Sequence, residues 1–276
     1  MMTVHPRDEA AQGWNRHAAM VRSWLAEAPE AMLAAARMAP GSRVLYIAVG
    51  AADQTLDIAR RVGPQGHVLA TDISAATLAL ADANARAAGL PQVETRVADA
   101  EALGLGGAGF DAAACRLGLM FCRAPLAALA GARAALRPGG RFCALVFSEP
   151  QHSPCPVTMM AVARRHAGLH APSPFEPGTL LSLGAPGRFV RLLDAAGFVD
   201  IQAQRVSAPY RPPTSADDVE FVRTVGSPIM QMLAPLPAAA QRDAWNEMRT
   251  KLNVFTTPDG WVGPNELLLC NASAPP

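Results

Sequence analysis

From Arg43 onward, short and nearly continuous apolar runs alternate with stretches whose apolar positions recur at helical spacing. Arg43-Val44-Leu45-Tyr46-Ile47-Ala48-Val49 is the first such run, as expected of a parallel strand covered on both faces. Gly50-Ala51-Ala52-Asp53 then makes a turn, Gln54 to Val62 predicts a helix stopped near Gly63-Pro64, and Gly66 to Asp72 predicts a second strand ending on an acid. The rhythm continues with a helix over 75–88, a strand at Val93–Val97 leading to Asp99, and a strand at Phe110–Cys115. A helix over 125–135, the turn Arg137-Pro138-Gly139-Gly140 and a strand at Arg141–Phe147 follow. Strands and helices in this alternation predict a doubly wound parallel sheet.

The flanks follow other patterns. Trp14 to Met38 is rich in alanine, leucine and methionine and predicts two short helices interrupted at Pro29. After Ser148, prolines at 150, 154, 156, 172, 174 and 177 surround one helical stretch, Val157 to Ala167, a texture that reads as a lid over the sheet. Arg188 to Ala196 with Gly197 as its stop, then Val199 to Val206, resumes a helix-then-strand pattern. Residues 215–252 read as helical and beside the lid, and Trp261 to Ala272 as a last strand. Three segments result: an N-terminal helical cap over 1–40, a core over 41–150, and a lid and sheet-completing segment over 151–276.

Composition narrows the function classes. With 276 residues, half of them hydrophobic, the chain can bury one sizeable core. Twenty-four basic residues face 23 acidic ones and Lys251 is the only lysine, so no basic stripe forms and nucleic acid is not expected as a partner. Cys115, Cys122, Cys143, Cys155 and Cys270 are odd in number, widely spaced and set among apolar residues, which reads as buried thiols in a reducing compartment. The N-terminus carries His5, Arg7, Asp8 and Glu9 without a signal-like apolar run, and no membrane span is expected, so the expected location is the cytoplasm.

Ligands of open α/β sheets lie at the carboxyl ends of the strands. Three features converge there: Gly50, where backbone can approach a ligand; Asp72, whose carboxylate can accept ribose hydroxyls; and Asp99-Ala100, positioned to meet an adenine. Each also has a structural reading, Asp72 as the cap of the following helix and Asp99 as the cap of a local turn. The runs VLYIAVGAADQTLDIA (44–59), VLATDIS (68–74), VADAEAL (97–103), FDAAACRLGLMF (110–121) and LRPGGRF (136–142) together resemble the class I S-adenosylmethionine-dependent methyltransferases, in particular the small-molecule branch similar to the ubiquinone/menaquinone C-methyltransferases.

That resemblance implies a Rossmann-like, mostly parallel seven-stranded sheet with N-terminal helices and a helical lid after strand five. It implies S-adenosylmethionine as cofactor. It assigns Tyr46, Ala48, Gly50 and Gln54 to the first motif and the methionine part, Asp72 and Ile73 to ribose and adenine, Asp99 and Ala100 to the adenine edge, and backbone near Cys115 and Arg116 to the methionine end. Two positions depart from the pattern: Tyr46 stands where the motif carries an acid, and Ala52 stands at its last glycine, where a Cβ crowds the turn if φ is positive.

The donor carries its own activation, so an aligned acceptor and a dry pocket do most of the work. Where the acceptor needs a base, His152, His166 and His170 are the candidates, with His17 beside them. His166 and His170 are four apart but lack a third ligand nearby, and no metal is expected. Trp14, Phe121, Met159, Met160 and Phe175, together with Trp24, Met230 and Met232, suit an apolar small-molecule acceptor methylated on oxygen, nitrogen or carbon, in keeping with secondary metabolism. The alternative is a methyltransferase-like protein with an altered first motif that binds the cofactor or another ligand without methyl transfer, such as a cyclase, a rearrangement enzyme or a non-catalytic subunit. Homodimerisation stays open.

Overall fold

A computed structural model describes residues 13–276 except 15, 26, 27, 51, 171, 172 and 226. The N-terminal residues His5 to Glu9, and Ala51 and Pro172, therefore lie outside the described residues. Two short helices, α1 (Ala18–Leu25) and α2 (Ala28–Ala35), precede the sheet. Pro29 sits in the first turn of α2, where its missing N–H has no helical partner to lose.

The core runs β1 (Arg43–Ile47), α3 (Asp53–Val62), β2 (His67–Asp72), α4 (Ala75–Ala87), β3 (Val93–Val97), β4 (Phe110–Arg116), α5 (Pro125–Ala135) and β5 (Leu136–Phe147). Beyond it come α6 (Pro154–His166), α7 (Arg188–Ala195), β6 (Val199–Ser207), α8 (Ser215–Val225), α9 (Ser227–Leu233), α10 (Ala238–Leu252), a small ribbon of β7 (Thr256–Thr257) with β8 (Gly260–Trp261), and β9 (Glu266–Ser273).

Seven strands form one sheet in the order β3-β2-β1-β4-β5-β9-β6. The first five pair in parallel, and β9 runs antiparallel between β5 and β6. The chain leaves β1 toward β3 in one direction and restarts from β4 in the other, so the switch point lies between β1 and β4. Burial follows the pattern of residues: Val44, Leu45, Tyr46 and Ile47 of central β1 are buried, whereas the two edge strands, β3 and β6, carry the polar residues and the exposed positions.

Two sequence boundaries move. The expected turn at Arg137–Gly140 belongs to β5 as a bulge: Phe110 pairs with Leu136 and Ala112 with Arg141, Gly139 takes φ +70°, and its N–H donates to the Ala274 and Pro275 carbonyls at 3.2 Å. The expected strand from Trp261 to Ala272 is split, because Gly263 bridges back to Tyr210 and Pro264 has no N–H for a ladder, so β9 starts only at Glu266.

Above the carboxyl ends of the strands, α6 packs on α9 and α10, and α8 packs on the same two helices. The N-terminal helices tie into this layer. Trp24 stacks on Tyr210 with ring centroids 4.6 Å apart and donates its indole N–H to the Ala208 carbonyl at 2.8 Å, while Trp14 meets Phe221 of α8 edge-on at 5.8 Å.

Candidate functional site

The turn between β1 and α3 approaches the β2 end closely. Ala48, Gly50 and Ala52 all take left-handed conformations, φ +59°, +58° and +63°. Glycine adopts this region freely; at Ala48 and Ala52 a Cβ must be carried through it, at a cost of about 1–2 kcal/mol each. The turn is held by β2: the N–H groups of Ala48 and Val49 donate to the Thr71 carbonyl at 2.8 and 3.3 Å. Asp72, 6% exposed, completes the clamp by accepting from the Gly50 N–H at 3.4 Å through Oδ2 and from the Ser74 N–H at 2.9 Å through Oδ1. Each oxygen keeps a lone pair. The helix cap is Ser74, which accepts from the Thr77 N–H at 3.0 Å, so Asp72 is left at the mouth of the site rather than spent on α4. Asp99 does cap its own short turn, accepting from the Glu101 N–H at 2.9 Å.

Two connected cavities open at this edge. The smaller, about 280 Å³, is lined by Ile47, Ala48, Asp72, Ile73, Asp99, Ala100, Cys115 and their neighbours. The larger, about 840 Å³, runs from Ala48, Gly50, Asp72 and Arg116 to an apolar wall of Trp14, Val21, Leu25, Phe121 and Val225. Both volumes together suit a nucleoside-containing cofactor with a second small molecule beside it.

Of the residues expected at the cofactor, Ala48, Gly50, Asp72, Ile73, Asp99, Ala100, Cys115 and Arg116 line these cavities. Tyr46 and Gln54 do not; both are wholly buried behind the wall. Burial pushes the Tyr46 phenol up, and among the described residues its hydroxyl has no hydrogen-bond partner, nor have Gln54 Nε2 and Thr55 Oγ1. Beside them Arg116 and Asp53 form a buried, bidentate ion pair: Arg116 Nη1 donates to Asp53 Oδ2 at 3.1 Å and to Gln54 Oε1 at 3.1 Å, and Nη2 donates to Asp53 Oδ1. Burial alone would raise the Asp53 carboxyl; the Arg116 charge and hydrogen bonds outweigh it and hold the group below the usual carboxylate range. Burial also raises the Cys115 thiol, to about 12, which keeps it a neutral wall.

Among the acceptor candidates, Trp14 and Phe121 line the larger cavity, while Met160 and Met232 line a third space of about 430 Å³ between α6 and α9. Met159 is buried in the core, Trp24 is buried against Tyr210, Phe175 packs on the core and Met230 is exposed. Among the described residues no histidine lines any of the three cavities. His166 pairs with Glu247 at 2.9 Å, His17 packs edge-on to Phe221 at 5.5 Å, His152 ends a short turn after β5, and His170 is exposed. Gly118 was not singled out from sequence. A Cβ there would sit 2.9 Å from Cys115 Sγ and closer still to Ala48 Cβ, and the residue lines both cavities. Its signal was the glycine in the Arg116-Leu117-Gly118 run directly after a strand.

Residues 44–140 match the family described as "Methyltransferase domain", a span that covers β1 through the bulge of β5. The ubiquinone/menaquinone biosynthesis C-methyltransferase UbiE of Teredinibacter turnerae is 38% identical over 115 residues, 41% of this chain and 46% of that one. The chain thus spans about half the length of the curated relatives it matches. The likeness of fold extends over more of the chain: the YcgJ protein from Bacillus subtilis superposes with a TM-score of 0.62 at 16% identity over 91% of this chain and 99% of its own. The cyclase SpnF superposes with a TM-score of 0.57 at 17% identity over 90% of this chain and 80% of its own.

Asp72, Ile73, Asp99 and Ala100 converge on one cavity, and Asp72 has acceptor capacity left for two hydroxyls, so the nucleoside end of the cofactor fits. At the other end the site presents a buried arginine and a phenol without a hydrogen-bond partner among the described residues, where the resembled motif carries an acid.

Proposed function

We propose that the chain transfers a methyl group from S-adenosylmethionine to an apolar small-molecule acceptor. The observation that carries this reading is the extent of the larger cavity beyond the Asp72–Gly50 turn, along Trp14, Val21, Leu25, Phe121 and Val225. It is also continuous with the third cavity through Gly178, Thr179, Pro228 and Gln231, which lengthens the apolar track under α6 and α9. In this reading residues 41–150 hold the cofactor, and 1–40 with 151–276 shape the acceptor space and act as its lid.

When bound, S-adenosylmethionine supplies a sulfonium methyl already activated for in-line displacement. Asp72 would hold the ribose hydroxyls, and Ile73, Asp99 and Ala100, which line the same cavity, would receive the base. The rings of Trp14 and Phe121, which line the larger cavity, would exclude water and orient the acceptor toward the donor's methyl group, and that positioning would supply most of the rate. The five free cysteines, all buried, suit a reducing compartment and a cytoplasmic location.

A second reading, retention of the cofactor without methyl transfer, is favoured by one observation: the phenol and guanidinium that replace the motif's acid. Calorimetric titration with S-adenosylmethionine and S-adenosylhomocysteine, with Asp72→Ala as control, tests the cofactor site. Binding by the native chain that weakens at least thirtyfold in Asp72→Ala supports it, and no binding at about millimolar ligand (about 4 kcal/mol) refutes it. Formation of S-adenosylhomocysteine in a screen of apolar acceptors then separates the two readings.

A further inference from the structure

The exchange at the methionine end has a definite geometry. Tyr46 of β1 pairs in register with Ala114 of β4, and side chains two apart on a strand share a face, so Arg116 lies on the Tyr46 face of the sheet one step nearer the carboxyl edge. The phenol remains neutral and unpartnered, while the guanidinium is fixed and charged. Where the family's motif presents an anion, this wall presents a cation.

Arginine has five N–H donors. Both Nη1 donors go to Asp53 and Gln54, and one Nη2 donor goes to Asp53, an end-on pairing. The Nε–H and the second Nη2–H have no partner among the described residues. These two point along the same side of the guanidinium and form a parallel fork that matches a carboxylate. The Arg116 side chain is 5% exposed, and it lines the cavity that Gly50 and Asp72 also line.

We propose that this side-on edge of Arg116 reads the α-carboxylate of the cofactor, with Asp53 and Gln54 holding the guanidinium in place. The site is thereby anchored on carboxylate where an acidic motif anchors on ammonium. The proposal rests on the methyltransferase reading for the identity of the cofactor, and it assigns to Asp53 and Gln54 a positioning role.

Calorimetry with three probes tests it: S-adenosylhomocysteine, its analogue without the α-amino group, and its analogue without the α-carboxylate. The native protein is expected to lose less than about threefold on removal of the amine and about 10- to 100-fold on removal of the carboxylate, the range of hydrogen bonds to a charged group. In Arg116→Met, S-adenosylhomocysteine falls to the affinity of the carboxylate-free analogue, whose own binding to the variant stays within about threefold of native. That last measurement also reports that the variant is folded. Should the variant fail to fold, the ranking of the two analogues on the native protein still decides. A native protein that tolerates loss of the carboxylate but not of the amine overturns the proposal and leaves the cofactor reading standing; a native protein that binds none of the three overturns both.

Discussion

Asp218 offers a perturbation whose sign and size follow from its surroundings. It lies on α8, is 1% exposed, and its Oδ2 has no hydrogen-bond partner. Burial is the cause that raises it from the usual 3.8 to about 7, and Tyr210 and Cys155 are neutral neighbours that feel its charge. A carboxyl raised on folding is more readily protonated in the native state than in the unfolded chain. Its contribution is fully present below the unfolded value and lost as pH rises through the folded one. The gap between 3.8 and about 7, at about 1.4 kcal/mol per pH unit, amounts to about 4 kcal/mol of stability lost between pH 4 and pH 8. Asparagine is an uncharged isostere of the protonated acid, so Asp218→Asn should be close to native in stability near pH 4 and more stable by about 2–4 kcal/mol at pH 8, since relaxation around the charge reduces the full amount. For a chain of this length that corresponds to a Tm higher by about 5–10 °C at pH 8. Urea and thermal unfolding of both proteins at pH 5, 6, 7 and 8 provide the comparison. Parallel pH profiles, or a native protein that gains on the variant as pH rises, would refute the reasoning.

Ala52→Gly relieves the φ of +63° and should stabilise the protein by about 0.5–1 kcal/mol after the entropy of the added glycine is subtracted, read as a rise in urea midpoint. Gly118→Ala forces a Cβ against Cys115 and Ala48 and should cost about 1–3 kcal/mol in unfolding experiments while weakening S-adenosylhomocysteine binding at least tenfold; unchanged affinity would remove Gly118 from the site. Because no histidine lines a cavity, His152→Ala, His166→Ala and His170→Ala should each leave turnover within about twofold, and a drop of 100-fold or more in any one would reinstate it as a general base.

The sheet was legible because its signals are local. β1, β2 and β4 are short apolar runs ending at turns, and α5 begins where the sequence placed it, whereas α6 begins at Pro154 rather than at the expected Val157, because proline is tolerated in a first helical turn. The bulge at Arg137–Gly140 was not legible, since a Pro-Gly-Gly run reads as a turn until a partner strand, here the segment after β9, is known to take its donors. The site divides in the same way. Gly50, Asp72 and Asp99 sit at strand ends fixed by periodicity. The histidines belong to segments whose orientation depends on long-range packing, as with His166, which is paired with Glu247 some 81 positions away rather than aimed into a cavity.

The departures in the first motif gain meaning only when read together across strands. Tyr46 alone would leave a wall without its acid, and Arg116 alone would bury an unpaired cation, which costs several kcal/mol. Asp53 resolves the second problem by pairing end-on with Arg116, and the same pairing keeps the guanidinium from turning toward the phenol. The Tyr46 hydroxyl, without a partner among the described residues at full burial, carries a penalty of about 1–3 kcal/mol set against the burial of its ring. A wall that retains such a penalty, together with two alanines held at positive φ around Gly50, has not been tuned for stability. Its organisation makes sense as a fixed donor fork on a residue that lines a cavity, and the carboxylate of a ligand is the group that would use it.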